Sequence, residues 1–165
     1  MRKTNSLSPG SSSAGRYLCF SLGKDKFAIP LLQVKEVIAD VATTSIPQSP
    51  PYFKGIMNLR GQVISVIDLS LKLKFGKSEK TSETTIVILD LAHLSLGVIV
   101  DSVDSVVEYE ESDVSPTPDT DSSLKVNYIT GVARTDKSLT LLLDLKAVLN
   151  ADDFTTLKNH ADKAA

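Results

Sequence analysis

Few side chains in this sequence are of a type and spacing that could carry covalent chemistry. Asp101 and Asp104 are near enough to be read as a carboxylate pair. Three apart in a strand they point to opposite faces, which removes the convergence that acid/base work needs. His93 and His160 are the two histidines; the first lies between apolar runs, the second in a polar tail, and neither has a companion in sequence. Cys19 sits inside the apolar run Tyr17-Leu18-Cys19-Phe20 and reads as a buried, inert thiol; as the one cysteine it forms no internal disulfide. No Ser/His/acid order, glycine-rich phosphate loop, zinc spacing or EF-hand spacing is present. The acidic stretch from Glu108 to Ser123, with Glu110, Glu111, Asp113, Asp119 and Asp121, lacks the glycine turn and closing glutamate of a calcium loop. The expectation is a protein that is not an enzyme and takes no cofactor or metal.

Recognition chemistry is a different matter. The stretch Gly55-Ile56-Met57-Asn58-Leu59-Arg60-Gly61 through Asp68-Leu69 has a weaker echo from Gly131 to Leu145, with the same offset from glycine to aspartate. At matching offsets Asn58, Arg60 and Gly61 face Arg134, Asp136 and Lys137, so the repeated scaffold does not demand Arg60. A guanidinium fork there can make bidentate bonds to a carboxylate or to helix-end carbonyls of a partner, with Glu36 orienting it. The bland alternative is an exposed arginine in a turn. Asp68 and Asp144 occupy equivalent repeat positions and read as helix caps.

The elements that must position these groups are short strands. Tyr17 to Leu22, the turn Gly23-Lys24-Asp25 and Lys26 to Pro30 predict a hairpin. Leu31 to Ile38 predicts a turn leading into a strand, with Val34, Glu36 and Ile38 on one face, a mixture that suits a docking surface. Pro51 is expected to open a single helical turn that Gly55 closes, with a new strand at Ile56. Asp68 caps a short segment from Leu69 to Phe75, and Gly76 to Ser82 reads as a joint. Laying Phe27 on Leu96 puts Val34 on Val103, Val37 on Val106 and Ile38 on Val107, so the first strands repeat as well. Each unit holds about five short strands and predicts a small, nearly closed barrel. The expected divisions are a disordered tail over 1–15, a first barrel over about 16–80, a second over about 81–150 and a polar C-terminal tail over 151–165. An exchange of strands or helices between the barrels is left open.

The composition fits a packed globule: 165 residues, 42% hydrophobic, with a formal net charge of -2. The charges are interspersed, without the basic block that phosphate-backbone binding needs, so nucleic acid is not an expected partner. No apolar run approaches the length that spans a bilayer, which predicts no membrane insertion and a cytoplasmic protein.

In order along the chain, Phe20-Ser21-Leu22-Gly23, Val34-Lys35-Glu36-Val37, Phe53-Lys54-Gly55-Ile56-Met57-Asn58-Leu59-Arg60-Gly61, Val66-Ile67-Asp68-Leu69, Gly97-Val98-Ile99-Val100-Asp101 and Tyr128-Ile129-Thr130-Gly131 resemble the CheW family of bacterial chemotaxis coupling proteins. The resemblance covers roughly residues 16 to 150. It implies a mostly β fold of two SH3-like five-stranded barrels packed together, with short helices at connections and the C-terminus. It also implies an adaptor, monomeric when free, that links the regulatory domain of the CheA histidine kinase to the cytoplasmic tip of transmembrane chemoreceptors. The same architecture serves equally for a non-motility pathway such as pilus control or gene regulation. By that analogy a receptor-facing groove carries Val34, Glu36, Asn58, Arg60, Ile86, Val103 and Val106, shaped by Gly55, Gly61 and Gly97. A kinase-facing surface on the first barrel would use Phe27, Ile29 and Leu31. For Val34, Val103 and Val106 plain core packing is the rival reading, because strand parity does not fix which face is inside.

Overall fold

The computed structural model describes residues 14–76, 80–91, 94–116, 128–134 and 138–149, together with positions 153, 155 and 157. The tail up to residue 13, residues 77–79 of the joint, His93, residues 117–123 of the acidic stretch, Asp136, Lys137 and His160 lie outside them.

Runs of branched and aromatic residues punctuated by turns give strands in rapid succession. The hairpin β1 (Gly15–Leu22) and β2 (Asp25–Pro30) is followed by a 3-10 turn over Leu31–Gln33 and β3 (Val34–Ala39). Then come β4 (Phe53–Leu59), β5 (Gln62–Asp68) and the one-turn helix α1 (Leu69–Lys72). The second unit has β6 (Thr85–Asp90), β7 (Ser95–Val100), β8 (Ser102–Tyr109), the two-residue β9 (Val114–Ser115), β10 (Ile129–Arg134), β11 (Leu139–Leu143) and α2 (Leu145–Val148). Both helices start as the repeat predicts: Asp68 accepts from Leu71 N at 3.2 Å, and Asp144 from Lys146 N at 3.0 Å.

The strands form two sheets, in the orders β8-β1-β2-β11-β10-β9 and β3-β6-β7-β5-β4. Neither follows one half of the chain, so a division near residue 80 does not separate the barrels. Each unit lends its first hairpin to the other: β1 and β2 pair with β8 and β11, while β6 and β7 pair with β3 and β5. The exchange is reciprocal in register. Leu141 lies opposite Phe27 in one parallel pair and Ser65 opposite Leu96 in the other, at repeat-equivalent positions.

Three apolar clusters follow from this. One draws Ile38, Met57, Leu59, Ile64, Val66, Ile86, Ile88 and Ile99 from all strands of the five-stranded sheet, as a closed barrel interior requires. A second draws Tyr17, Cys19, Ala28, Val107, Tyr109, Val114, Ala133 and Leu142 from all strands of the other sheet. The third and largest lies between the barrels and joins Phe20, Leu22, Phe27 and Ile29 to Ile67, Val87, Leu89, Leu96 and Val98. The protein is the mostly β, two-barrel SH3-like fold that the resemblance implies.

Several local expectations are corrected. Residues 51–52 make a tight turn, with Phe53 N bonded to Pro50 O at 3.0 Å, and Gly55 lies inside β4 instead of ending a helix. Burial of Phe53 in the core starts the strand there. The start of the acidic stretch is strand and turn: β8 runs to Tyr109, and Glu110 and Asp113 form a capping box around a 3-10 turn before β9. The C-terminal segment is no loose tail at Asp153 and Leu157, because the first is buried and the second is fully buried in the shared core. Asp101 and Asp104 serve the scaffold, the first accepting from Gly23 N at 2.6 Å, the second from Ser21 Oγ at 2.8 Å and Lys26 Nζ at 3.1 Å.

Burial also sets a limit on alkaline stability. It raises the hydroxyls of Tyr17 and Tyr52, and pushes Tyr109, beside the Cys19 thiol, up to about 12 from an ordinary value of 10.0. A raised acid favours the folded state only while the unfolded chain keeps the proton, so this contribution is whole below pH 10.0 and is lost as pH rises towards about 12. The melting temperature is expected to fall steeply across that window, and Tyr109→Phe to flatten the fall. A melting temperature that stays level through the window would contradict this account.

Candidate functional site

The β4–β5 connection is a two-residue hairpin turn flanked by the pair Leu59 and Gln62. Its central residues, Arg60 and Gly61, have φ of 52° and 87°. Two positive φ values define the turn whose twist matches the flanking strands, and Asn or Gly is the residue it prefers at both. Gly61 meets that preference, and its N–H donates to Asn58 Oδ1 at 2.8 Å. Arg60 goes against it, at about 1 kcal/mol for a left-handed non-glycine residue. A side chain kept where the backbone disfavours it marks a candidate functional position.

What Arg60 does with that position is specific. Its two terminal nitrogens donate to the two oxygens of Glu36 at 2.6 and 2.8 Å, a bidentate fork. Glu36 lies on β3 and Arg60 follows β4, the two outer strands of the five-stranded order, so the pair spans the seam of that barrel. The bonds from Arg60 hold the Glu36 carboxyl below the usual carboxylate range and raise the guanidinium in turn. The Arg60 side chain is 75% exposed and that of Glu36 25%, and an exposed pair contributes little to stability. Its effect is orientation: Glu36 takes two of the guanidinium's donors, and the exposed side chain leaves the others accessible.

A bulge alters the neighbouring pattern. Val34 pairs with Leu89 and Glu36 with Ile88, leaving Lys35 as the extra residue. Val34 therefore packs partly on the shared core, whereas Glu36 and Ile38 follow the barrel interior, and the three do not share a face as the strict alternation predicted. The same bulge recurs at Asp104 on β8. Its partner valine, Val103, likewise packs partly on the shared core, while Val106 is 52% exposed.

Other sequence-derived candidates lie inside. Phe27 and Ile29 are each 1% exposed, and their strand β2 belongs to the six-stranded sheet, so neither presents a surface on the first barrel. Ile86 is fully buried in a barrel interior. Their apolar character signals packing in strands buried on both faces, where alternation gives no cue. Gly97 shapes that same interior: a Cβ there would lie 3.1 Å from Ile86 Cγ2 and 3.2 Å from Val66 Cγ2. Leu31 remains at the rim, partly buried against the shared core. Sequence reasoning missed Val37 and Val41, both substantially exposed on and just beyond β3. The repeat alignment placed Val37 on Val106, and that was the available signal.

Residues 16–153 match the profile described as a CheW-like domain. The chain belongs to the CheW family. It is 27% identical to the chemotaxis protein CheW of Klebsiella aerogenes, with 92% of each chain covered. It is 31% identical to the CheW of Bacillus subtilis, over 83% of this chain and 88% of that one. It also resembles the protein FrzA of Myxococcus xanthus, at 26% identity over 62% of this chain and 64% of the relative. Among solved structures, the scaffolding protein TtCheW of Thermoanaerobacter tengcongensis superposes with a TM-score of 0.76 at 30% identity, over 85% of this chain and 95% of that one. CheW-family proteins are scaffolds or adaptors and not enzymes, which agrees with a site built for orientation.

Proposed function

We propose that this CheW-family adaptor couples the cytoplasmic tip of transmembrane chemoreceptors to the regulatory domain of the CheA histidine kinase in chemotaxis signalling. The observation that carries this reading is Arg60, held at φ 52° on a turn that prefers glycine and aimed by the two hydrogen bonds it donates to Glu36. A helical receptor tip would set carboxylates or end carbonyls against that fork and an apolar stripe against Val34, Val103 and Val106. Asn58 and Gly61 fix the turn, while Gly55 and Gly97 allow close approach within the fold. The kinase would meet the outer side of β3 at Val37 and Val41, with Leu31 at its margin, in place of the buried Phe27 and Ile29.

The protein is read as a cytoplasmic monomer, without cofactor or nucleic acid, that is recruited to membrane-associated arrays by its partners. Among the described residues no helix is long and apolar enough to cross a membrane. Two faces of modest affinity then gain strength from the linked array. The likeness to FrzA, a relative with a different name, favours a second reading in which the same surfaces serve a non-motility chemosensory pathway.

Immobilised full-length chain is expected to retain the kinase regulatory domain and a receptor cytoplasmic fragment together in one pull-down. Retention of neither, or mutual exclusion of the two, would overturn the coupling role.

A further inference from the structure

The two repeat units end alike, but among the described residues one ending is less well covered than the other. Beyond α2, Asp153 lies against the unit that holds the five-stranded sheet's β4 and β5, accepting from Lys72 Nζ at 2.8 Å and from the Tyr52 hydroxyl. Lys72 Nζ also lies 4.5 Å over the Tyr52 ring. Ser65 Oγ donates to the Leu157 carbonyl at 2.9 Å, and Leu157 is fully buried. A helical segment with Asp153 and Leu157 one turn apart thus closes that side of the shared core. Beyond α1, Phe75 sets its ring 5.7 Å from that of Phe27 on the six-stranded sheet. Coverage is poor there, because Phe75 is 53% exposed.

The six-stranded sheet therefore carries a counterpart of the place that Leu157 fills. Leu141 opposes Phe27 where Ser65 opposes Leu96, and Val148 stands in the repeat where Lys72 stands. Leu141 is half-buried, and Leu139, two residues earlier on the same face, is 60% exposed. We infer that the face formed by Phe75, Leu139 and Leu141 docks an amphipathic helix from another protein. The precedent is the chain's own helical segment at the equivalent position. The chemistry differs in one respect: the polar handles Ser65 and Lys72 are replaced by Leu141 and Val148. A visiting helix accordingly needs apolar residues one turn apart and no buried acid. Exposed Arg134, directly opposite Leu139, and exposed Lys74, beside Phe75, select acidic residues on its flanks. This face is separate from the Glu36–Arg60 pair and does not depend on the receptor reading.

The chain contains no tryptophan, so Phe75→Trp in the full-length protein places a single reporter on the face. The probe is a tryptophan-free synthetic amphipathic helix with leucines at i, i+3 and i+4 spacing and glutamates on its flanks. The expected result is a saturable blue shift of emission that Leu139→Glu abolishes and that a lysine-flanked version of the peptide gives only at least about tenfold more weakly. Leu139→Ser serves in its place if Leu139→Glu melts early. No saturable shift, or an equal shift in the Leu139 variants, overturns the site. Equal or tighter binding of the lysine-flanked peptide overturns the partner class. Much tighter binding in Lys72→Ala would show the peptide displacing the chain's own segment, and overturns the site as well.

Discussion

Arg60→Gly is expected to leave the melting temperature within about 3 °C of the parent while weakening receptor retention at least about tenfold. Three small changes nearly cancel in the fold. Relief of the left-handed conformation stabilises by about 1 kcal/mol, the freer unfolded chain of a glycine costs about 0.5–1 kcal/mol, and loss of an exposed ion pair costs about 0–1 kcal/mol. Binding has no such cancellation. A charge-assisted fork to a partner is worth on the order of 1.5–3 kcal/mol, and 1.4 kcal/mol is a factor of ten. Arg60→Asn should behave alike, since Asn tolerates the same backbone. Side-by-side thermal melts and receptor pull-downs decide it: parallel loss of stability and retention would make Arg60 a seam-closing structural residue. Kinase retention should be unchanged in both variants, which separates a local effect from a general one.

The opposite pattern is expected for Gly55→Ala, with a destabilisation of roughly 2–5 kcal/mol and loss of both partners together. Gly55 has φ of 141°, and a Cβ built there would lie 2.2 Å from the Thr44 carbonyl oxygen and 2.7 Å from its carbon. That backbone cannot retreat easily, because Thr44 and Ile56 exchange hydrogen bonds of 2.8 and 2.9 Å that tie it to β4. Gly97→Ala is the informative control. Its nearest neighbours are the methyl ends of Ile86 and Val66, which can shift by a few tenths of an ångström, so its cost should be distinctly smaller. Chemical denaturation of the two variants gives the comparison, and a Gly55→Ala protein as stable as the parent would contradict the close approach.

Much of this was legible because the chain repeats itself. The helix caps Asp68 and Asp144, the short strands, the two barrels and the singularity of Arg60 all follow from laying one unit on the other. What escaped is tertiary. Alternation cannot see the bulge at Lys35, which sends Val34 and Glu36 to different faces. Nor does it reveal that Phe27, Ile29 and Ile86 lie on strands buried from both sides, where an apolar residue carries no mark of inside or outside. The C-terminal segment looked polar because its two anchoring residues, Asp153 and Leu157, are one turn apart among residues with no strong stripe.

The reciprocal loan of hairpins also bears on how the protein is born. As the polypeptide emerges from the ribosome, β1 and β2 are complete early, yet both of their lateral neighbours, β8 and β11, belong to the later unit. In the interval an apolar ribbon with two open edges waits, a state prone to sticking to its own kind. Lys26 finds its parallel partner Thr140 only after the last strand of the second unit has been made, so biogenesis, more than the finished molecule, is where this topology is exposed to failure.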